Sequence, residues 1–185
     1  LRKEMRDNVP YDRLVRELLT AASTGGDATA GAFYQANENK PENLAASTAR
    51  LFLGIKLECA QCHNDRSGGN WSRNEFWQFA AFFTDLTGSP SRSAKGEPQI
   101  TIPNVNRTVT ARFLGGGKPT FEPGVSPRAT LVKWLTAPEN PHFARAAVNR
   151  VWVYLFGTGL VDPVDERGDH NPPSHPELLD ELAQQ

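Results

Sequence analysis

The chain has 185 residues, 38% hydrophobic and 22% charged, with a formal net charge of −1. That balance supports a buried core and excludes the global basic field that would recruit nucleic acid or an anionic membrane. No apolar run approaches the ~18 residues of a membrane-spanning helix. The chain begins at Leu1 and reads as an excerpt of a longer protein.

In chain order, Pro10 opens a first helix where its missing N–H costs nothing. Tyr11, Leu14, Val15, Leu18 and Leu19 then keep a helical apolar period, which predicts a helix over residues 10–20. A polar loop is expected to run to about Lys40, with Phe33 and Tyr34 tucked against the core. Pro41 starts a second predicted helix, 41–57, striped by Leu44, Thr48, Leu51, Phe52 and Ile55. Ser72 and Glu75 spell a capping box for a strongly aromatic helix over 72–83. Residues 88–97 read as a linker, and 99–105 with 107–113 alternate as a small hairpin. The Gly115-Gly116-Gly117-Lys118 run lacks the order of a phosphate loop and reads as a break. Helices are predicted at 127–135, at 141–156 after an Asn140 cap, and at 176–183. The fold class is therefore mainly α: an irregular helical bundle with long loops and at most one small β-hairpin.

Both cysteines of the chain lie in Cys59-Ala60-Gln61-Cys62-His63. C-x-x-C-H is the spacing of covalent c-type haem attachment. On a helix, Cys59, Cys62 and His63 sit at i, i+3 and i+4 and face one side, so His63 can serve as an axial iron ligand. Two other readings stay open. Cys59 and Cys62 can form a short disulfide or stay reduced beside a His that merely packs, or Cys59, Cys62, His63 and a distant His can hold zinc. Candidates for a sixth haem ligand are Met5, His142, His170 and His175. Asp162, Asp165, Glu166 and Asp169 could bind Ca²⁺ but read better as solvated charges paired with Arg150 or Arg167. No Ser/His/Asp arrangement with a nucleophile elbow is present. Thioether-bound haem or a stable disulfide would both place the protein outside the cytoplasm.

Three long strings carry a family resemblance: PYDRLVRELLTA (residues 10–21), ARLFLGIKLECAQCH (49–63) and NEFWQFAAFF (74–83). They resemble the planctomycete cytochrome-c-like domain of large secreted or surface proteins. NPHFARAAVNRVWVYLFGTGLVDPVD (140–165) and NPPSHPELLDELA (171–183) resemble the start of its usual companion domain; both are domains of unknown function. Members often carry a second His in a CHxHP-like run, whereas this chain reads His63-Asn64-Asp65-Arg66. The resemblance implies a cytochrome-c-like segment over 1–88, a linker with the hairpin over 89–125, and the start of the companion helical domain over 126–185, sharing one core.

The leading functional expectation is a haem c module for electron transfer or redox sensing, served by an unidentified redox partner or by other domains of the parent protein. The alternative, without cofactor, is a structural or interaction module with a Cys59–Cys62 disulfide. A haem demands that His63 project into a hollow lined by the aromatic residues of 76–83. A solvent-exposed His63 instead leaves the disulfide scaffold. Helix 141–156 is expected to pack around Cys59, with Trp152 and Phe156 buried in the shared core.

Overall fold

The computed structural model describes residues 4, 6–21, 28–65, 70–87 and 92–185. Among them lie seven α-helices and one two-stranded antiparallel sheet, so the chain is mainly α, as its pattern predicts. Helix α1 (Tyr11–Thr20) buries Val15 and Leu19. Helix α2 (Ala28–Ala36) falls where the pattern predicts a loop. Its alanines favour helix, but Gly31 and a weak apolar period hide it from sequence. Tyr34 is buried and Phe33 packs partly against the core, as expected.

Helix α3 (Pro41–Thr48) ends at Thr48 rather than residue 57. It widens into a π turn (Ala49–Leu53), closed by Gly54 at a φ of 66°. A left-handed residue just past a helix end is the conformation glycine adopts without penalty. The stop signal was therefore Gly54, inside what reads as a continuous stripe. A 3-10 turn (Glu58–Gln61) follows.

Helix α4 (Arg73–Ala80) opens on the predicted capping box. Ser72 Oγ accepts the Glu75 N–H at 3.2 Å, and Glu75 Oε2 accepts the Ser72 N–H at 2.9 Å. It continues as a 3-10 turn (Ala81–Thr87). Strands β1 (Gln99–Ile102) and β2 (Arg107–Thr110) form the expected hairpin, with Gln99 opposite Thr110 and Ile102 opposite Arg107. Helix α5 (Pro127–Leu135) has its predicted bounds, with Ser126 accepting the Ala129 N–H at 3.1 Å. Helix α6 (Phe143–Phe156) starts at Phe143, because Asn140 Oδ1 takes the His142 N–H and turns the chain first. Helix α7 (Pro176–Gln184) closes the order.

The main core collects α1 and α3 to α5 around Phe76, Phe79, Phe82 and Phe83, all fully buried. Phe82, Phe113 and Trp134 form a nearly parallel stack, with centroids 5.4 and 4.8 Å apart. A second, small cluster of Leu160, Val161 and Leu179 is covered by Val148 and Trp152.

Helix α6 touches both clusters, but not as the sequence predicts. Phe143 packs in the main core and stacks on Tyr11 at 5.3 Å. Trp152 belongs to the small cluster instead, and Phe156 is 63% exposed. The apolar period of α6 is real, but its last turn carries apolar residues on every side. Val151, Tyr154, Leu155 and Phe156 all reach solvent.

One buried charge ties α5 to the N-terminal helices. Arg128 is 8% exposed. Its Nε donates to both Asp85 carboxylate oxygens at 3.1 Å. Its Nη1 donates to Tyr34 Oη at 2.6 Å and to the Leu19 and Ala21 carbonyls at 3.3 and 2.7 Å. Burial raises the Tyr34 phenol above its ordinary pKa, while the Arg128 charge pulls it down. Arg128→Met should destabilise the fold by about 3–5 kcal/mol, because it strands the Asp85 charge. Phe156→Ser should cost far less, about 0.5–1 kcal/mol, since Phe156 is 63% exposed and packs only on Trp152 at 4.3 Å between ring centroids. Urea unfolding followed by circular dichroism checks the contrast.

Candidate functional site

The C-x-x-C-H motif does not continue a helix. Gly54 ends the π turn, Ile55 bridges Glu166, and the chain then enters the 3-10 turn that holds Cys59. A 3-10 turn has three residues per turn, so positions i and i+3 eclipse. Cys62 is the residue just past that turn, three positions after Cys59, and both are exposed free thiols. The His63 N–H reaches back to the Cys59 carbonyl at 3.4 Å, so the chain closes one further turn over the motif.

The turn is held from beneath. Ala60 is fully buried. The Gln61 carbonyl accepts Trp77 Nε1 at 3.0 Å and Arg73 Nε at 3.2 Å. The Arg73 N–H also binds Asn64 Oδ1 at 2.9 Å. Arg73 and Trp77 thus position the motif from helix α4. The sequence points to Trp77 only as an aromatic neighbour and gives no sign of Arg73.

His63 is exposed, and its Nδ1 lies 2.9 Å from the Asn64 carbonyl oxygen. A carbonyl only accepts, so Nδ1 carries the proton and Nε2 presents a free lone pair to solvent. The predicted aromatic hollow is not beside it. Phe76, Phe79, Phe82 and Phe83 are packed into the core, and Trp77 is turned to hold Gln61. The two thiols and Nε2 have the chemistry of a haem c attachment site. The wall that would enclose the macrocycle is filled by the protein's own side chains, so the residues do not fit an enclosed haem.

The other candidates are dispersed. Met5 lies outside the described residues. His142 is half-buried, and its Nδ1 accepts from Arg167 Nη1 at 3.2 Å. Because a guanidinium only donates, that nitrogen is already engaged. His175 is exposed beside Ser174 Oγ at 3.2 Å. His170 lines a cavity of about 150 Å³ together with Cys59, Lys56, Asp65, Trp71 and Arg167. Its ring lies over Gly168, where a Cβ would come within 2.9 Å of it. No group of three or more His, Cys, Asp or Glu able to hold a metal ion occurs among the described residues. The zinc set of Cys59, Cys62, His63 and a distant His is thus not assembled there.

Two of the four acidic residues of the loop are held in ion pairs. Asp165 pairs with Arg150, and Glu166 with Lys56 at 2.5 Å. Arg150 also donates to the Arg50 and Leu51 carbonyls at 2.7 and 3.1 Å, capping the end of the π turn with a cation. The Arg167 N–H binds the Gly54 carbonyl at 3.0 Å. These contacts bring the 166–170 loop against the cysteine turn, a juxtaposition across a hundred residues that sequence spacing cannot show.

Comparison with known families gives two matches. Residues 1–88 match the family described as "PSCyt2: Protein of unknown function (DUF1549)". Residues 127–185 match "PSD1: Protein of unknown function (DUF1553)". The chain therefore pairs segments similar to two families of unknown function, as the long strings suggest. No curated protein and no solved structure matches it. No helix among the described residues is long and apolar enough to cross a membrane.

The pKa of His142 is pushed down to about 4, first by burial and then by the charges of Arg167 and Arg145. The Arg145 charge is paired with Asp180. Above about pH 6.5 the ring is neutral both folded and unfolded and shifts nothing. As pH falls from 6.5 toward 4, the unfolded chain binds a proton that the folded chain resists, so stability drops. The loss should reach roughly 1–2 kcal/mol, below the full linkage value because the ring is partly open to solvent. Urea midpoints measured between pH 7 and 4 should show this step in the wild type and not in His142→Gln.

Proposed function

We propose that this chain is a non-haem structural or interaction module of a larger extracytoplasmic protein, in which Cys59 and Cys62 form a disulfide. The observation that carries the reading is the 3-10 turn. The two cysteines lie three residues apart at that turn with exposed thiols, His63 is exposed, and Phe76, Phe79, Phe82 and Phe83 are buried in the core. A disulfide asks only for a Cα separation of about 4.4–6.8 Å, which two residues three apart at one tight turn meet. It persists in oxidising compartments, hence the extracytoplasmic placement. The partners are the other domains of the parent protein.

A second reading, a haem c module for electron transfer or redox sensing, draws on the C-x-x-C-H order and on the His63 tautomer. A Nδ1–H held by a carbonyl leaves Nε2 as a ready ligand. In that reading Cys59, Cys62 and His63 bind the cofactor on an open face, and the partner is a redox protein.

The mass of the 59–63 peptide, taken from the protein of its native host without reductant, separates the two. The disulfide reading expects a loss of two hydrogens, reversed by reductant, and no Soret absorption. A haem-sized gain that resists reductant, with a Soret band, would replace the first reading by the second. Two unmodified thiols would sink both.

A further inference from the structure

We infer that the Cys59–Cys62 pair, when reduced, exchanges with small-molecule disulfides, with Cys59 as the attacking sulfur; the inference rests on the disulfide reading above. The two exposed thiols are not equivalent. Cys59 lines the cavity of about 150 Å³ between its own turn and the 166–170 loop, and Cys62 does not. The cavity wall around Cys59 carries Lys56, Arg167 and His170 together with Asp65 and Glu166, the last paired with Lys56, and Ile55 and Trp71 form its apolar side. Reactive cysteines sit in partly exposed sites beside Lys, Arg or His, whereas inert structural ones are buried. The cavity is partly open and has room for a small polar group beside Cys59. The His170 ring at its edge lies against Gly168, where a Cβ would come within 2.9 Å of it.

The exchange balances without any further reagent. The Cys59 thiolate attacks one sulfur of R–S–S–R, the S–S bond breaks, and a mixed disulfide forms between Cys59 and one arm. The other arm leaves as a thiolate and takes up the proton that Cys59 released. Cys62, three residues on and just past the same turn, loses its proton and attacks the Cys59 sulfur. That closes the intramolecular disulfide and frees the second arm as a thiol. Two protein thiols are oxidised and one small disulfide is reduced to two thiols.

The test uses the full chain, reduced and free of haem, mixed with hydroxyethyl disulfide and followed by intact mass. Cys62→Ser should trap the mixed disulfide on Cys59, and Cys59→Ser should react at least about tenfold more slowly. His170→Trp, a change at an exposed position that fills the cavity, should slow the wild-type reaction by about tenfold as well. His175→Trp should leave it unchanged. Equal rates for the two single-cysteine variants, or an unslowed His170→Trp protein with wild-type circular dichroism, would overturn the inference. Should His170→Trp not fold, the comparison of the two cysteine variants decides alone. A haem adduct in the native protein removes the disulfide reading itself. A native disulfide with equal variant rates removes only the exchange.

Discussion

The Arg128 guanidinium is the constraint on which the rest of the fold depends. Burying a charge is costly unless it is paired and hydrogen-bonded, and Arg128 meets that demand with partners from separate parts of the chain. Asp85 supplies the countercharge from the end of the aromatic helix. Leu19 and Ala21 supply carbonyls at the C-terminus of α1, the negative end of that helix dipole. Tyr34 supplies a hydroxyl from α2, with its ring 5.3 Å from the guanidinium carbon. The Tyr34 hydroxyl in turn donates to Leu19 at 2.6 Å. Arg128 lies in the segment similar to one family, and all its partners lie in the segment similar to the other. The two segments share one desolvated charge network, so neither can be removed without leaving buried polar groups unpaired.

A second set of contacts runs through Gly54 and determines what the cysteine motif can do. The π turn before it frees the Arg50 and Leu51 carbonyls, and Arg150 of α6 satisfies them. π turns are rare and recur near functional sites. Here the turn stops the helix before it reaches Cys59. Had the helix run on, the three motif residues would have shared a face. Because it stops, the motif starts a separate, tighter turn beyond Gly54.

Much of the architecture was legible where local rules act alone. The Ser72–Glu75 box, the Ser126-Pro127 start of α5 and the alternating hairpin all specify their elements through short-range hydrogen bonds and side-chain period. Legibility failed where a distant partner decides the outcome. Helix α2 is held by Tyr34 reaching Arg128 rather than by an amphipathic stripe of its own. The end of α3 lies in a left-handed glycine that packs near Ala146 and Val164. At the site, the cysteines and His63 could be named from their order, but their relative facing could not. The 166–170 loop is joined to them by a backbone bridge that no sequence period encodes. The aromatic residues of α4 read first as core, with a ligand wall as the alternative, and they serve as core; a hydrophobic helix face is equally good at either task.

The exposed end of α6 has a consequence for how the molecule will be handled. Tyr154 is 88% exposed, and Val151, Leu155 and Phe156 stand beside it with no charged residue between positions 151 and 156. A contiguous apolar surface of this kind binds fluorescent hydrophobic dyes without any loosening of the interior. Dye uptake is commonly taken as a sign of a molten globule. For this chain a bright dye signal at neutral pH is a property of the native surface. Its folded state has to be judged by near-ultraviolet circular dichroism, to which the Phe82–Phe113–Trp134 stack gives a strongly asymmetric aromatic environment.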